Sequence, residues 1–246
     1  MKLAKKLARI ATSFVVVWGF SVCAHASVVI AGTRVVYNQS ESEVTVKLTN
    51  NGKVPGLVKV WLDKGDPDAR PDTIEVPFTI TPPLMRIDPT KSQTLRIMFA
   101  GEPLPANKES IFYLNVLEVP PKATGETASA NQLQLAFRTR IKFFYRPSTL
   151  QKQSVDAAGQ VVWHLKQDHG KAMIEASNPT EYHVSFDSVT YSDGTRTASF
   201  IDGGMVAPGE TKDFPLKGEV PSSGKVAWTV INDYGGPQHG ESRLAP

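Results

Sequence analysis

One cysteine, Cys23, occurs in the 246 residues, and it lies in an opening stretch that also lacks any acidic residue. Residues 1–26 read MKLAKKLARIATSFVVVWGFSVCAHA. Lys2, Lys5, Lys6 and Arg9 make a basic start, a mostly apolar run follows from Ile10 to Val22, and Ala24-His25-Ala26 closes the stretch. That is the three-part layout of a secretory signal peptide, with cleavage expected after Ala26. The apolar run is 13 residues long, short of the roughly 20 that a spanning helix needs. No later stretch is long and apolar enough to span, so no membrane insertion of the mature chain is expected. An exported mature chain without cysteine uses neither disulfides nor thiolate chemistry. About 220 residues bury enough core without such staples.

An excess of positive charge is also missing once the leader is set aside. Four of the 27 basic residues and none of the 24 acidic ones fall in residues 1–26. The remainder therefore holds 23 basic and 24 acidic groups, a net charge of −1. A nucleic-acid partner, which requires a basic footprint, is not expected. Catalytic signatures are absent as well: no G-x-S-x-G elbow, P-loop or G-x-G-x-x-G occurs. The mature histidines, His164, His169, His183 and His239, form no H-x-x-x-H pair. Asp66 and Asp68 flank Pro67, a poor composition for a calcium loop. No enzyme, metal site or cofactor is expected. No long stretch carries a helical apolar stripe.

What is present is alternation with period two. Val44-x-Val46-x-Leu48, Val58-x-Val60-x-Leu62, Leu95-x-Ile97-x-Phe99 and Phe112-x-Leu114-x-Val116 are examples, separated by turn residues such as Asn50-Asn51-Gly52 and Pro82-Pro83. The pattern predicts antiparallel sandwiches. Seven strands are expected near 28–37, 43–50, 56–63, 74–81, 93–100, 110–119 and 132–146. A second set is expected near 161–166, 171–177, 182–191, 197–201, 211–216 and 225–231. The break at Pro147-Ser148 places a 27–147 domain before a 148–246 domain, each of ordinary size.

Residues 131–147, NQLQLAFRTRIKFFYRP, stand apart. One face carries Leu133, Leu135, Phe137, Thr139, Ile141, Phe143 and Tyr145; the other carries Arg138, Arg140, Lys142 and Arg146. At about 3.3 Å per residue, 133–145 would span roughly 40 Å, whereas strands usually run about 5–6 residues. Either the strand packs internally along its whole length, or it overhangs its core and a partner covers it, since an open apolar strand invites aggregation.

Here the sequence resembles the periplasmic chaperones of the chaperone–usher pathway. Ile141-Lys142-Phe143-Phe144-Tyr145-Arg146-Pro147 looks like their I-K-x-F-Y-R-P signature. Gly32-Thr33-Arg34, Thr81-Pro82-Pro83-Leu84-Met85-Arg86, Glu109-Ser110-Ile111-Phe112-Tyr113-Leu114-Asn115, Asn178-Pro179-Thr180 and Ile231-Asn232-Asp233-Tyr234-Gly235 match further segments in order. The resemblance implies an all-β fold of two immunoglobulin-like sandwiches set as a boomerang around a cleft. It implies a periplasmic chaperone that binds, folds and stabilises pilus subunits by donor-strand complementation and delivers them to an outer-membrane usher, without ATP. It assigns strand 132–146 as donor, with Leu133, Leu135 and Phe137 entering the subunit groove. Arg34 and Lys142 become the anchor for the subunit's terminal carboxylate. Glu109, Arg146 and Asp233 become an inter-domain ion network with a structural role. The rival readings are an adhesive or carbohydrate-binding two-domain sandwich, which would need an exposed aromatic platform, and an exported hydrolase, which the missing motifs disfavour.

Overall fold

The computed structural model describes residues 27–122, 134–168 and 170–245. The expected leader, residues 1–26, and Leu133 lie outside the described residues. Among the described residues no helix is long and apolar enough to cross a membrane.

Alternation folds as alternation should. In β3 (Val44–Asn50), β4 (Gly56–Asp63) and β7 (Ser92–Phe99) the alternating apolar positions turn inward and the polar ones outward, except that Asn50 and Asp63 are buried at the strand ends and Leu57 is exposed. Two sheets face each other in the first sandwich. One has the order β1 (Val28–Ile30), β3, β7, β5 (Phe78–Thr81). The other has the order β2 (Arg34–Asn38), β9 (Phe137–Arg146), β8 (Ser110–Val119), β4, β6 (Leu84–Ile87). Leu48, Leu95, Ile97, Leu114 and Phe143 fill the space between them. An aromatic cluster of Tyr37, Phe78, Phe99, Phe112, Phe143 and Tyr145 packs at ring separations of 4.9 to 6.2 Å.

The second sandwich sets β10 (Val162–Asp168), β11 (Lys171–Ser177) and β15 (Thr211–Pro215) against a sheet built on β12 (Val184–Ser192) and β17 (Lys225–Ile231). Trp163, Ile174, Tyr191, Val206 and Phe214 form its separate core. Buried asparagines organise loops in both units. Asn50 donates to Val54 O and Ile87 O at 2.9 and 2.8 Å, and Asn178 donates to Tyr182 O at 2.7 Å.

The expected strand bounds need correction in several places: the strand expected over 74–81 begins at Phe78, and Leu84–Ile87 forms a strand outside the expected set. The strand expected over 28–37 is two strands in different sheets. The chain turns at Gly32, whose φ of +116° suits glycine. This crossing frees β2 to pair in parallel with β9. The strand expected from 132 begins at Phe137. Its partner β8 ends at Val119, and Pro120-Pro121, which offer no N–H to a ladder, follow; alongside them Gln134 donates through its side-chain Nε2 to Pro121 O at 3.0 Å. Finally, β18 (Pro237–Arg243) pairs with β17 along seven residues although its sequence has no apolar alternation. Its Gly240 leaves room for the Trp228 ring, which a Cβ there would meet at 2.2 Å.

Candidate functional site: the inter-domain cleft and the half-paired strand

Strand β9 is paired with β8 from Phe137 to Tyr145, but β2 covers only its second half. The parallel register runs from Arg34↔Lys142 to Asn38↔Arg146. Phe137–Ile141 therefore carries backbone groups with no partner strand on one edge among the described residues. Leu135 is 49% exposed, while Ile141, Phe143 and Tyr145 on the same side of the chain are core. The apolar face of the strand thus runs out of its own sandwich into the open.

The free edge ends at two cations. Lys142 faces away from the core and its Nζ donates to Ser185 Oγ of β12 at 2.8 Å. Arg34 donates through Nη1 to Ile231 O of β17 at 2.7 Å, and its Nε is buried without a hydrogen-bond partner among the described residues. Both side chains thus cross to the second sandwich. With Tyr113, Asp187, Met205 and Lys212 they line a cleft of roughly 470 Å³. Burial, with Arg34 and Lys212 nearby, pushes the Lys142 ammonium down to about 8. Burial also lowers Arg34, against the attraction of Asp233 and Glu109. An anion entering here would meet the Lys142 and Lys212 ammoniums and the Arg34 guanidinium, with the Asp187 carboxylate on the same lining.

Behind these cations the structure brings Glu109, Arg146 and Asp233 together. Arg146 donates to Glu109 Oε1 at 2.9 Å and to Asp233 Oδ2 at 2.8 Å, linking the end of β9 to the turn after β17. Glu109 also accepts from the His183 backbone N–H at 3.0 Å and contacts its Nδ1 at 2.9 Å. Ser154 donates to Asp233 at 2.7 Å. Burial pushes the Asp233 carboxyl up, but the Arg146 and Ser154 hydrogen bonds with the Arg146 and Arg34 charges outweigh it and hold it below its ordinary range. Arg146 is held above its own, its two carboxylates overcoming burial. His183 was not singled out in the sequence: its role depends on the second sandwich presenting it to Glu109, and no local pattern carries that. The Asp63–Arg140 contact also has no local sequence signal, because it joins β4 to β9 across β8 within the first sandwich.

The chain matches the family described as pili and flagellar-assembly chaperone, PapD N-terminal domain, over residues 27–151. It matches the pili assembly chaperone PapD, C-terminal domain, over residues 156–242. It is 44% identical over 239 residues to the protein named "Probable fimbrial chaperone YadV" of Escherichia coli K12, covering 95% of this chain and 96% of that one. It is 43% identical over 217 residues to the chaperone protein FimB/FhaD of Bordetella pertussis, covering 87% and 86%. The crystal structure of the Pseudomonas aeruginosa CupB2 chaperone superposes with a TM-score of 0.74 at 37% identity, covering 88% of this chain and all of that one. With both domain types matched in order and relatives similar over nearly their whole length, the chain belongs to the PapD family of pilus-assembly chaperones.

Proposed function

We propose that this pilus-assembly chaperone captures subunits by lending them β9 as a missing strand, and that the Arg34–Lys142 pair anchors the subunit's terminal carboxylate. The observation that carries this reading is the half-paired strand with two cations at the end of its free edge. A strand laid along Phe137–Ile141 in the direction of β2 would run toward Arg34 and finish beside it. Its terminal carboxylate would then lie against Lys142 and the Arg34 guanidinium. Charge-assisted hydrogen bonds of that kind contribute about 1.5–3 kcal/mol each. They would also fix register, which a one-residue slip would reverse. Leu135 and Phe137, with Leu133 beyond the described residues, supply the apolar contacts, at about 1.5–3 kcal/mol for each side chain fully buried. Strand addition of this type includes chaperone–pilin complementation as a known mode.

The rest of the reading follows from export. The leader is removed after Ala26, the mature protein works in the periplasm and passes its cargo to an outer-membrane usher. It performs no enzymatic reaction and needs neither ATP nor cofactor. Glu109, Arg146 and Asp233 are structural, holding the two sandwiches in the orientation that forms the cleft. The test is co-expression with a pilus subunit of the same cell, purification from the periplasm and N-terminal sequencing. A one-to-one complex whose chaperone begins at Ser27 is expected. A chaperone that purifies alone while the subunit accumulates stably would overturn the capture reading.

A further inference from the structure

The exposed half of β9 is held from its polar face. Asp63, at the end of β4, has a side chain only 1% exposed. Its Oδ1 accepts from Arg140 Nη2 at 2.5 Å and from the Gly65 backbone N–H at 2.7 Å. Its Oδ2 accepts from Arg140 Nε at 2.9 Å and from Asn115 Nδ2 at 2.7 Å. Asn115, on the intervening β8, accepts through Oδ1 from Arg138 Nε at 2.8 Å, and Arg138 Nη1 donates to Pro67 O at 2.6 Å. The Arg140 guanidinium lies 3.7 Å from the Tyr113 ring centroid and that of Arg138 lies 5.2 Å from the Trp61 ring. Burial pushes the Asp63 carboxyl up, and the Arg140, Asn115 and Gly65 hydrogen bonds more than reverse this.

Both arginines belong to Phe137–Ile141, the half of β9 that has a strand on one side only. Both reach across β8 toward β4 or the loop after it. An edge segment with one neighbour loses extended structure more readily than a segment paired on both sides. Here side-chain bonds on the paired side, reaching across β8, reinforce the single ladder that this half of β9 has. The attachment is also sensitive to register. A slip of one residue exchanges the two faces of the strand, and would take both guanidiniums away from Asp63 and Asn115.

We propose that Asp63 is a positioning residue for subunit capture: acting through Arg140, and through Asn115 on Arg138, it holds the open half of β9 extended and in register before a partner arrives. The inference rests on the reading that this edge receives a subunit strand. Preorganisation of this kind reduces the ordering cost of binding.

The test compares Asp63→Asn, Arg138→Gln and Lys142→Ala with the parent protein. Arg138→Gln keeps the experiment informative if the buried Asp63→Asn change prevents folding, because Arg138 is partly exposed. Amide hydrogen exchange of the free protein is read separately for 137–141 and 142–146. Capture is read by the association rate of a synthetic peptide of alternating apolar residues with a free C-terminal carboxylate. Losing one charge-assisted attachment predicts exchange about tenfold faster at 137–141 in Asp63→Asn, with 142–146 unchanged, and peptide association about tenfold slower. Arg138→Gln should shift both readouts in the same direction by less. Unchanged exchange at 137–141, or acceleration spread evenly over β8 and β9, would overturn the positioning role. Normal capture by both network variants alongside loss in Lys142→Ala would overturn it too, while leaving the docking reading intact. Normal capture by all three would remove the docking reading and the positioning role together.

Discussion

Arg34 and Lys142 face each other as the first pair of a parallel ladder, at the point where β9 changes from one neighbour to two. Each then bonds to the opposite sandwich, Arg34 to Ile231 O and Lys142 to Ser185 Oγ. They therefore sit at once at the end of a free edge and at the wall of the cleft. Their removal should have different effects on the free protein.

Lys142→Ala deletes a cation that burial and two neighbouring cations disfavour. The variant should fold with a thermal midpoint equal to or above the parent. Arg34→Ala deletes a cation attracted by Asp233 and Glu109 and bonded to Ile231, so its midpoint should fall. Both should lose subunit capture. Thermal denaturation and co-purification with a subunit check the two halves separately; a stable Lys142→Ala variant that captures normally would remove the anchor assignment.

With its ammonium pushed down to about 8, Lys142 acting as the anchor should make capture depend on pH. Below pH 8 the free protein already carries the charge that a carboxylate requires. Above it, binding must take up a proton, so affinity should fall as pH rises, by at most about tenfold per unit. The free protein behaves oppositely. Between pH 8 and 10.5 the unfolded state binds the extra proton, so this group's contribution to folding stability rises with pH. Titration calorimetry from pH 7 to 9.5 with a carboxylate-ended peptide and its amidated form should show the fall for the first only. Lys142→Arg should flatten it.

Arg146→Ala leaves Glu109, whose side chain is 2% exposed, without its guanidinium partner. Breaking a buried pair in this way costs about 3–5 kcal/mol. Asp233→Ala should cost less, because that carboxylate is one-third exposed. Gly235, with φ +82°, packs on Thr33 of the other sandwich, and a Cβ there would stand 2.5 Å from Thr33 Oγ1. Gly235→Ala should therefore combine roughly 1–2 kcal/mol of backbone strain with a wider domain angle. Chemical denaturation measures the first effect and small-angle scattering the second.

Acid should act through two of the bonded carboxylates. Asp233 and Asp63 are both held below their ordinary 3.8. Their contribution is complete above 3.8 and is lost as pH falls through the lower folded values. A denaturation midpoint measured from pH 6 to pH 2 should decline in the parent at the acid end. The decline should be shallower in Asp63→Asn if that variant folds.

Leu135 is already half in solvent. Leu135→Glu should leave the fold untouched and the free protein at least as soluble, while placing an unpaired carboxylate in an apolar groove on capture. Circular dichroism identical to the parent with lost co-purification is expected; retained capture would count against the donor-strand assignment.

Alternation along the chain determined that this is an all-β protein with two cores, and the I-K-x-F-Y-R-P segment with its companions determined the family. Both signals are local: a period of two states which face a side chain takes, and a signature states which residues stand together in sequence. Neither states which strand lies beside which. The break at Gly32 decides that Arg34 leaves the first sheet and meets Lys142 far along the chain. The prolines after Val119, which offer no N–H, limit how far β9 can pair with β8. A single aspartate at the end of β4 gives no periodic signal, and it gathers Arg140 and Asn115 only because β4, β8 and β9 close side by side. His183 reaches Glu109 only where the two sandwiches meet. Pairing between distant strands and contact between domains are settled by how the sheets close and pack, which is why those features belong to the tertiary structure.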